Sequence, residues 1–170
     1  KFVNTESECG VTVAYTNIPD ANFLQALKDL GHGTGAVGNN IPTANLSAIT
    51  YLDVSEKNIS DLTGIQDFVA LTDLRCYDNN LKTLDVSKNT ALTDLRCKGN
   101  KLTSLDVTKN TALEEFYCYE NNITSLDLSK NPDLIILSCG RNSKLTVLDV
   151  SKNPALERFL CYENNITSLD

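Results

Sequence analysis

Five cysteines fall at fixed intervals: Cys76, Cys97, Cys118, Cys139 and Cys161 are separated by 21, 21, 21 and 22 residues. A thiol can ligate a metal, close a disulfide or act as a nucleophile, and each use makes its own demand on spacing. A zinc site needs four ligands converging on one point, with close pairs of the C-x-x-C kind; the sequence contains no such pair. Thiols one repeat apart stack side by side, which does not present the torsion a disulfide requires. A desolvated thiol behaves as a small hydrophobe of low reactivity. The column therefore reads as core packing, with no metal and no cofactor. Cys9 stands apart from it and takes no assigned role.

A second column, Asp85, Asp106, Asp127 and Asp149, is shadowed by Lys88, Lys109, Lys130 and Lys152. Paired carboxylates could do acid–base chemistry. A carboxylate repeated identically is better explained as an Asx-type turn with a nearby cation. The single imidazole, His32, lies in a Gly-rich stretch, and no G-x-S-x-G, P-loop or H-E-x-x-H pattern occurs. The chain reads as non-catalytic; a hydrolase built on Asp and Glu alone has no positive support.

The columns exist because the chain repeats. One unit runs from Leu71 through Leu74, Cys76, Asn79, Leu81, Leu84 and Val86 to Asn89, and the next ones start at Leu92, Leu113, Leu134 and Leu156. The fourth unit carries one extra residue after Asn142, and a divergent unit precedes them from Ile49, with Leu52 and Val54. The pattern Leu-x-x-Leu-x-Cys ends in period-2 alternation, a short strand with Leu74 and Cys76 facing inward. Stacked in parallel, such strands lie about 4.8 Å apart. One unit cannot bury its own apolar face, so stability comes from its neighbours. Asn79, Asn100, Asn121, Asn142 and Asn164 follow the strands, where a polar side chain can satisfy the turn backbone of adjacent coils. The return path is too short for a full helix with its loops, so extended segments or 3₁₀ turns are expected there.

This frame, from about Ile49 to Asp170, resembles the leucine-rich-repeat family, in particular the internalin-like surface proteins of bacteria and their cysteine-containing 21-residue variants. The resemblance implies a right-handed solenoid of the α/β repeat class, with a parallel concave sheet and a mostly β or irregular convex side. It also implies an exported protein that uses its concave face for protein recognition in adhesion or host contact. Residues 1–48 do not repeat and read as an N-terminal cap, with residues 49–170 as the array. In the cap, Val11–Tyr15 is expected as a short strand. A helix is expected over about 20–30, capped by Asp20, striped by Phe23, Leu24, Leu27 and Leu30, and ended by Gly31. A short helix is expected over about 43–48. Related caps can carry a calcium loop between the helices, but no Asp or Glu occurs from Gly31 through Leu52, so none is expected.

Outward residues of the strands form the candidate recognition face: Arg75, Tyr77, Arg96, Tyr117, Tyr119, Ile136, Arg158, Leu160 and Tyr162, alongside Asp73, Asp94, Lys98, Glu115, Ser138 and Gly140. With Tyr51, this places five of the six tyrosines on one face. Tyrosine suits recognition because it buries a large area while keeping a polar tip. The first two coils alternate Asp and Arg, which can neutralise one another. The later ones offer an aromatic–aliphatic patch around Tyr117, Tyr119, Ile136, Leu160 and Tyr162.

A net charge of -7 argues against nucleic-acid binding and against a polybasic membrane anchor. No run approaches the roughly 18 apolar residues of a membrane span. A start at Lys1 rather than Met fits a trimmed chain. Asp170 stands where Asp149 does, so the last unit is expected to be incomplete and its open end to self-associate. A protein partner is the expected ligand and an extracellular or cell-surface location is expected. The alternatives are a carbohydrate stacked on the tyrosines, or a structural spacer.

Overall fold

The computed structural model describes residues 12–169. Cys9, Val11 and Asp170 lie outside them. Two short strands begin the described chain, β1 (Tyr15–Asn17) and, after the helix α1 (Ala21–Asp29), β2 (Asn40–Pro42). They pair antiparallel with Thr16 opposite Ile41. The first strand thus begins where the sequence expectation ended; before it, the Ala14 carbonyl accepts from Thr43 N–H at 2.8 Å, just outside the paired residues.

Asp20 caps α1, its carboxylate accepting from the backbone N–H groups of Asn22 and Phe23 at 2.9 and 3.0 Å. Its other oxygen accepts from the N–H and hydroxyl of Ser60 at 2.9 and 2.8 Å, and from Asp61 N–H at 3.2 Å. One side chain therefore joins the cap to the first coil. Phe23, Ala26 and Leu27 are buried, and the Phe23 ring stacks on Phe68 at 6.4 Å. Leu30, expected in the apolar stripe, is instead the C-cap residue and stands exposed, because the chain turns away at Gly31 with φ +85. The expected second helix is a single 3₁₀ turn over Thr43–Asn45, which follows Pro42 and has no side-chain cap. Gly64 is obligatory at the cap's contact: its φ is +110, and a Cβ there would stand 2.2 Å from the Ile18 side chain.

Burial pushes the Asp20 carboxyl upward, but the hydrogen bonds from Phe23, Ser60 and Asn22 outweigh that and hold it below the usual range. The stability it contributes is therefore present above the unfolded value, about 3.9, and is lost as pH falls through the lower folded one. Asp20→Ala is expected to cost about 2 kcal/mol at neutral pH, read as a shift in the urea midpoint. A shift absent at pH 7 would show that the cap does not depend on this link.

The array follows from the alternation. Strands β3 (Tyr51–Asp53), β4 (Asp73–Arg75), β5 (Asp94–Arg96), β6 (Glu115–Tyr117) and β7 (Ile136–Ser138) stack in parallel, and β9 (Arg158–Leu160) completes the six-stranded sheet. Between them in sequence, β8 (Val147–Leu148) lies on the opposite wall and pairs parallel with β10 (Ser168–Leu169). The register is unbroken, with Leu52, Leu74, Leu95, Phe116, Leu137 and Phe159 aligned at strand centres. The first five of those residues, with Cys76, Cys97, Cys118, Cys139, Val54, Val86 and Val107, belong to one continuous core that begins at Ile18 in the cap, and Phe159 and Cys161 pack half-buried against it. Turns and extended chain form the convex side, with one 3₁₀ turn at Ile65–Asp67.

Two asparagine ladders tie the coils. In the first, Asn100 donates to the carbonyls of Cys76 and Cys97 at 3.0 and 3.1 Å and accepts from Leu81 N–H at 3.0 Å. Asn121 and Asn142 repeat that set. The extra residue after Asn142 relocates the next bond: Asn164 accepts from the N–H of Asn142 itself, at 2.7 Å. The second ladder, Asn89, Asn110, Asn131 and Asn153, is buried under the return path, and each amide donates to two carbonyls. Its Oδ1 atoms are buried without a partner among the described residues.

Candidate functional site

The inward side of the sheet carries the cysteine column. Cys76, Cys97, Cys118 and Cys139 are buried free thiols; Cys161 is free and half-buried. Burial pushes the first three well above the ordinary thiol value and Cys139 up to about 12. These groups stay protonated and poorly nucleophilic. The aspartate column forms Asx turns, with Asp85, Asp106, Asp127 and Asp149 each accepting from an N–H two residues on at 2.8–3.0 Å. Hydrogen bonds from the following Ser or Thr hold all four below the usual carboxylate range.

The candidate recognition side chains stand on the other side. The register places outward residues in three rows across the coils: Tyr51, Asp73, Asp94, Glu115, Ile136 and Arg158; then Asp53, Arg75, Arg96, Tyr117, Ser138 and Leu160. Backbone bonds just past the strands continue the ladder into a third row, Tyr77, Lys98, Tyr119, Gly140 and Tyr162. All nine candidate recognition residues are on this face.

The tyrosines are paired with cations from neighbouring coils. Arg75 lies 5.1 Å from the Tyr51 ring, Arg96 4.9 Å from Tyr117, and Arg141 5.8 Å from Tyr162. Lys98 sits between two rings, 4.8 Å from Tyr77 and 5.6 Å from Tyr119. Each cation also has a carboxylate: Arg75 with Asp73 at 3.1 Å, Arg96 with Asp94 at 2.7 Å and Glu115 at 3.2 Å, and Lys98 with Asp78 at 3.0 Å. Arg141 bridges Glu120 and Glu163. Hydrogen bonding to Asp94 holds Arg96 more firmly charged than usual. The expected Asp/Arg neutralisation in the first coils thus occurs within single strands, between residues two apart.

Arg75, Tyr77, Arg96, Tyr117 and Tyr119 line one depression of about 470 Å³, together with Glu56, Asp78 and Lys98. Ile136, Arg158, Leu160 and Tyr162 do not line it; they continue the face beyond it. The aromatic–aliphatic patch is therefore not one unit, since its Tyr117 and Tyr119 belong to the depression. Between the two parts Ser138 (3% exposed) and Gly140 are buried rather than displayed. A Cβ on Gly140 would stand 2.9–3.1 Å from the Tyr162 backbone and ring, so glycine lets that ring lie close to the sheet.

Several residues of this face carried little sequence signal. Asp78, Glu120, Arg141 and Glu163 occupy one left-handed turn position per coil, with φ 52–57. Only Gly99, at φ +62 in the same place, announces that geometry by residue type. Lys98 was visible as an outward residue, but its place between two tyrosines depends on distances across coils.

A parallel in-register sheet on one wall, turns on the other and asparagine ladders between coils define a leucine-rich-repeat solenoid. Within that class the chain is similar to internalins and carries a cysteine ladder. Internalin J of Listeria monocytogenes is 40% identical over 89 residues, spanning 52% of this chain and 10% of that protein. The solved functional domain of InlJ from Listeria monocytogenes, described as including a cysteine ladder, is 36% identical with a TM-score of 0.68. That match covers 89% of this chain and 38% of the other. The internalin InlF from Listeria monocytogenes is 25% identical with a TM-score of 0.79, over 88% of this chain and 45% of that one. The chain thus spans less than half the length of each of these relatives. No protein-family model matches the sequence.

Proposed function

We propose that this chain is a non-catalytic recognition module of an exported bacterial surface protein, and that it binds a partner protein on its concave sheet. The observation carrying the reading is the distribution of tyrosine: Tyr51, Tyr77, Tyr117, Tyr119 and Tyr162 all stand outward on one sheet, whose inward side carries Leu, Phe and Cys. Strand propensity alone would not sort aromatic residues by face. Internalin likeness supports the same class and the extracellular setting.

A protein fits this face better than a carbohydrate. Sugar stacking needs free aromatic faces, whereas Arg96 and Lys98 lie over the rings of Tyr117, Tyr77 and Tyr119. Ion pairs beside aromatic rings present fixed donors and acceptors to a polypeptide.

The test is a binding screen of cell-surface proteins and glycans with the wild-type chain and a Tyr117→Ala/Tyr119→Ala/Tyr162→Ala variant. A protein captured by the wild type and lost by the variant is the expected result. A glycan lost in the same way would replace the protein reading with the carbohydrate one. A ligand that survives in the folded variant would move the site off the concave face.

A further inference from the structure

All four arginines of the chain, Arg75, Arg96, Arg141 and Arg158, stand on the concave face or at its rim. The aspartate column away from the sheet is accompanied by lysine instead, at Lys88, Lys109, Lys130 and Lys152. The two cations differ in geometry: arginine carries a planar fork of N–H donors that can serve a carboxylate at more than one edge.

Arg75 and Arg96 are direct partners on β4 and β5. Each holds the aspartate of its own strand with the same two nitrogens. Arg75 donates from Nε and Nη2 to Asp73 at 3.3 and 3.1 Å, and Arg96 from Nε and Nη2 to Asp94 at 3.0 and 2.7 Å. Glu115 takes a further bond from Arg96 Nη2 at 3.2 Å. Nη1 of neither guanidinium donates a hydrogen bond among the described residues. The rings of Tyr51 and Tyr117 lie against the two guanidiniums, so each is fixed by an aspartate at one edge and a ring at one face. Both side chains remain about one-third exposed, at 31% and 34%.

Charge is arranged to match. Asp73, Asp94 and Glu115 hold the pair from the first outward row and are not among the residues lining the larger depression, whereas both arginines and Lys98 line it. Of the carboxylates that line it, Asp78 is taken by Lys98 at 3.0 Å, and Glu56 stands at the first coil. Equivalent positions of a parallel pair lie about 4.8 Å apart, so two like charges are held side by side. Hydrogen bonding to Asp73 keeps Arg75 charged, while the charge of Arg96 beside it opposes that. An anion placed between them relieves the repulsion.

We infer that Arg75 and Arg96 together clamp the carboxylate of an acidic side chain, Asp or Glu, on the partner protein. The inference rests on the protein-recognition reading of the concave face and names the group that this face reads. A side chain is favoured over a chain end because the face continues on both sides of the pair, to Tyr51 in one direction and to Ile136 and Leu160 in the other. A bound polypeptide therefore passes over the clamp. Its carboxylate accepts from Nη1 of each arginine, and both guanidiniums are already oriented, so little side-chain freedom is lost on binding. The amide of Asn or Gln offers one neutral acceptor and loses the charge.

The test needs no identified partner. The ¹⁵N-labelled chain is titrated at low salt with Nα-acetyl-glutamate methylamide, with its glutamine analogue, and with N-acetylglycine, whose carboxylate is a chain end. The side-chain Nε–H signals of Arg75 and Arg96 report the clamp, and those of Arg141 and Arg158 report any general response to anions. Saturable shifts confined to Arg75 and Arg96 are expected with the glutamate compound, and none with the glutamine one. Arg96→Lys, which keeps the charge and removes the fork, should weaken binding at least fivefold; Arg75→Lys gives the same reading should the first variant not fold. Absence of saturable shifts, equal shifts at all four arginines, or unchanged affinity in the lysine variant would overturn the inference. Tighter binding of N-acetylglycine would overturn the choice of a side chain over a chain end. The capture screen is read separately through Tyr117, Tyr119 and Tyr162, so the clamp can fail while the recognition face stands.

Discussion

Replacing Phe116 with alanine is expected to lower the unfolding free energy by about 3–5 kcal/mol. Phe116 is fully buried at the centre of β6, in register between Leu95 and Leu137. Its ring fills the space between the sheet and the convex wall. Coils above and below are held at the spacing of a parallel ladder, about 4.8 Å, so the vacated volume cannot close without breaking that ladder. Because each coil is stabilised chiefly by its neighbours, a weakened middle coil also reduces cooperativity between the two ends. Urea unfolding followed by circular dichroism reads both effects, as a lower midpoint and a broader transition. A loss below about 1 kcal/mol would mean the core repacks freely, contrary to a rigid stack.

Asn121→Ala is expected to cost about 2–4 kcal/mol, although the side chain is small and touches no ligand. Its amide donates to the carbonyls of Cys97 and Cys118 at 3.0 and 3.1 Å, and its oxygen accepts from Leu102 N–H at 3.0 Å. Truncation leaves the buried Leu102 N–H without its partner inside the molecule, which costs more than the bond was worth in net terms, while the Cys97 and Cys118 carbonyls each keep one donor, from Asn100 and Asn142. Asn131 in the second ladder makes a useful comparison. Its amide donates to Val107 and Asn110, but its own oxygen is unpartnered, so Asn131→Ala also removes a buried unsatisfied acceptor. The Asn131 variant should therefore lose less than the Asn121 variant under the same denaturation protocol. Equal losses would mean that the orphaned oxygen carries no penalty.

These expectations separate what the sequence displays from what it hides. The inward positions were legible because burial demands apolar residues at each coil, and identical demands repeat the same letters: Leu74, Cys76 and Leu81 return as Leu95, Cys97 and Leu102. The first asparagine ladder was legible for the same reason. The second ladder was not singled out, since Asn89 and its successors sit in a polar stretch with Ser, Thr and Lys, where a buried amide looks like an exposed one. Leu30 misled in the opposite direction: it has helical spacing, but the helix ends one residue before it. The outward face was legible as a face and much less so as a site. Which tyrosine meets which cation depends on distances between coils, and Ser138 and Gly140 are covered by neighbours rather than by their own chemistry. A pocket of about 350 Å³ is lined by Asp29 of the cap and by Asp53 and Glu56 of the first coil, which only the docking of α1 brings together.

Affinity of the Tyr117→Ala/Tyr119→Ala variant for a captured partner protein, measured beside the wild type and beside a Lys109→Ala/Lys130→Ala control on the opposite side of the coils, tests the recognition face most directly. Both tyrosines line the larger depression, and their backbone pairing is independent of their rings. The expected result is binding at least tenfold weaker in the tyrosine variant, about 1.4 kcal/mol or more, with the control unchanged. Unchanged affinity in a folded tyrosine variant would contradict the assignment of the concave face as the working surface.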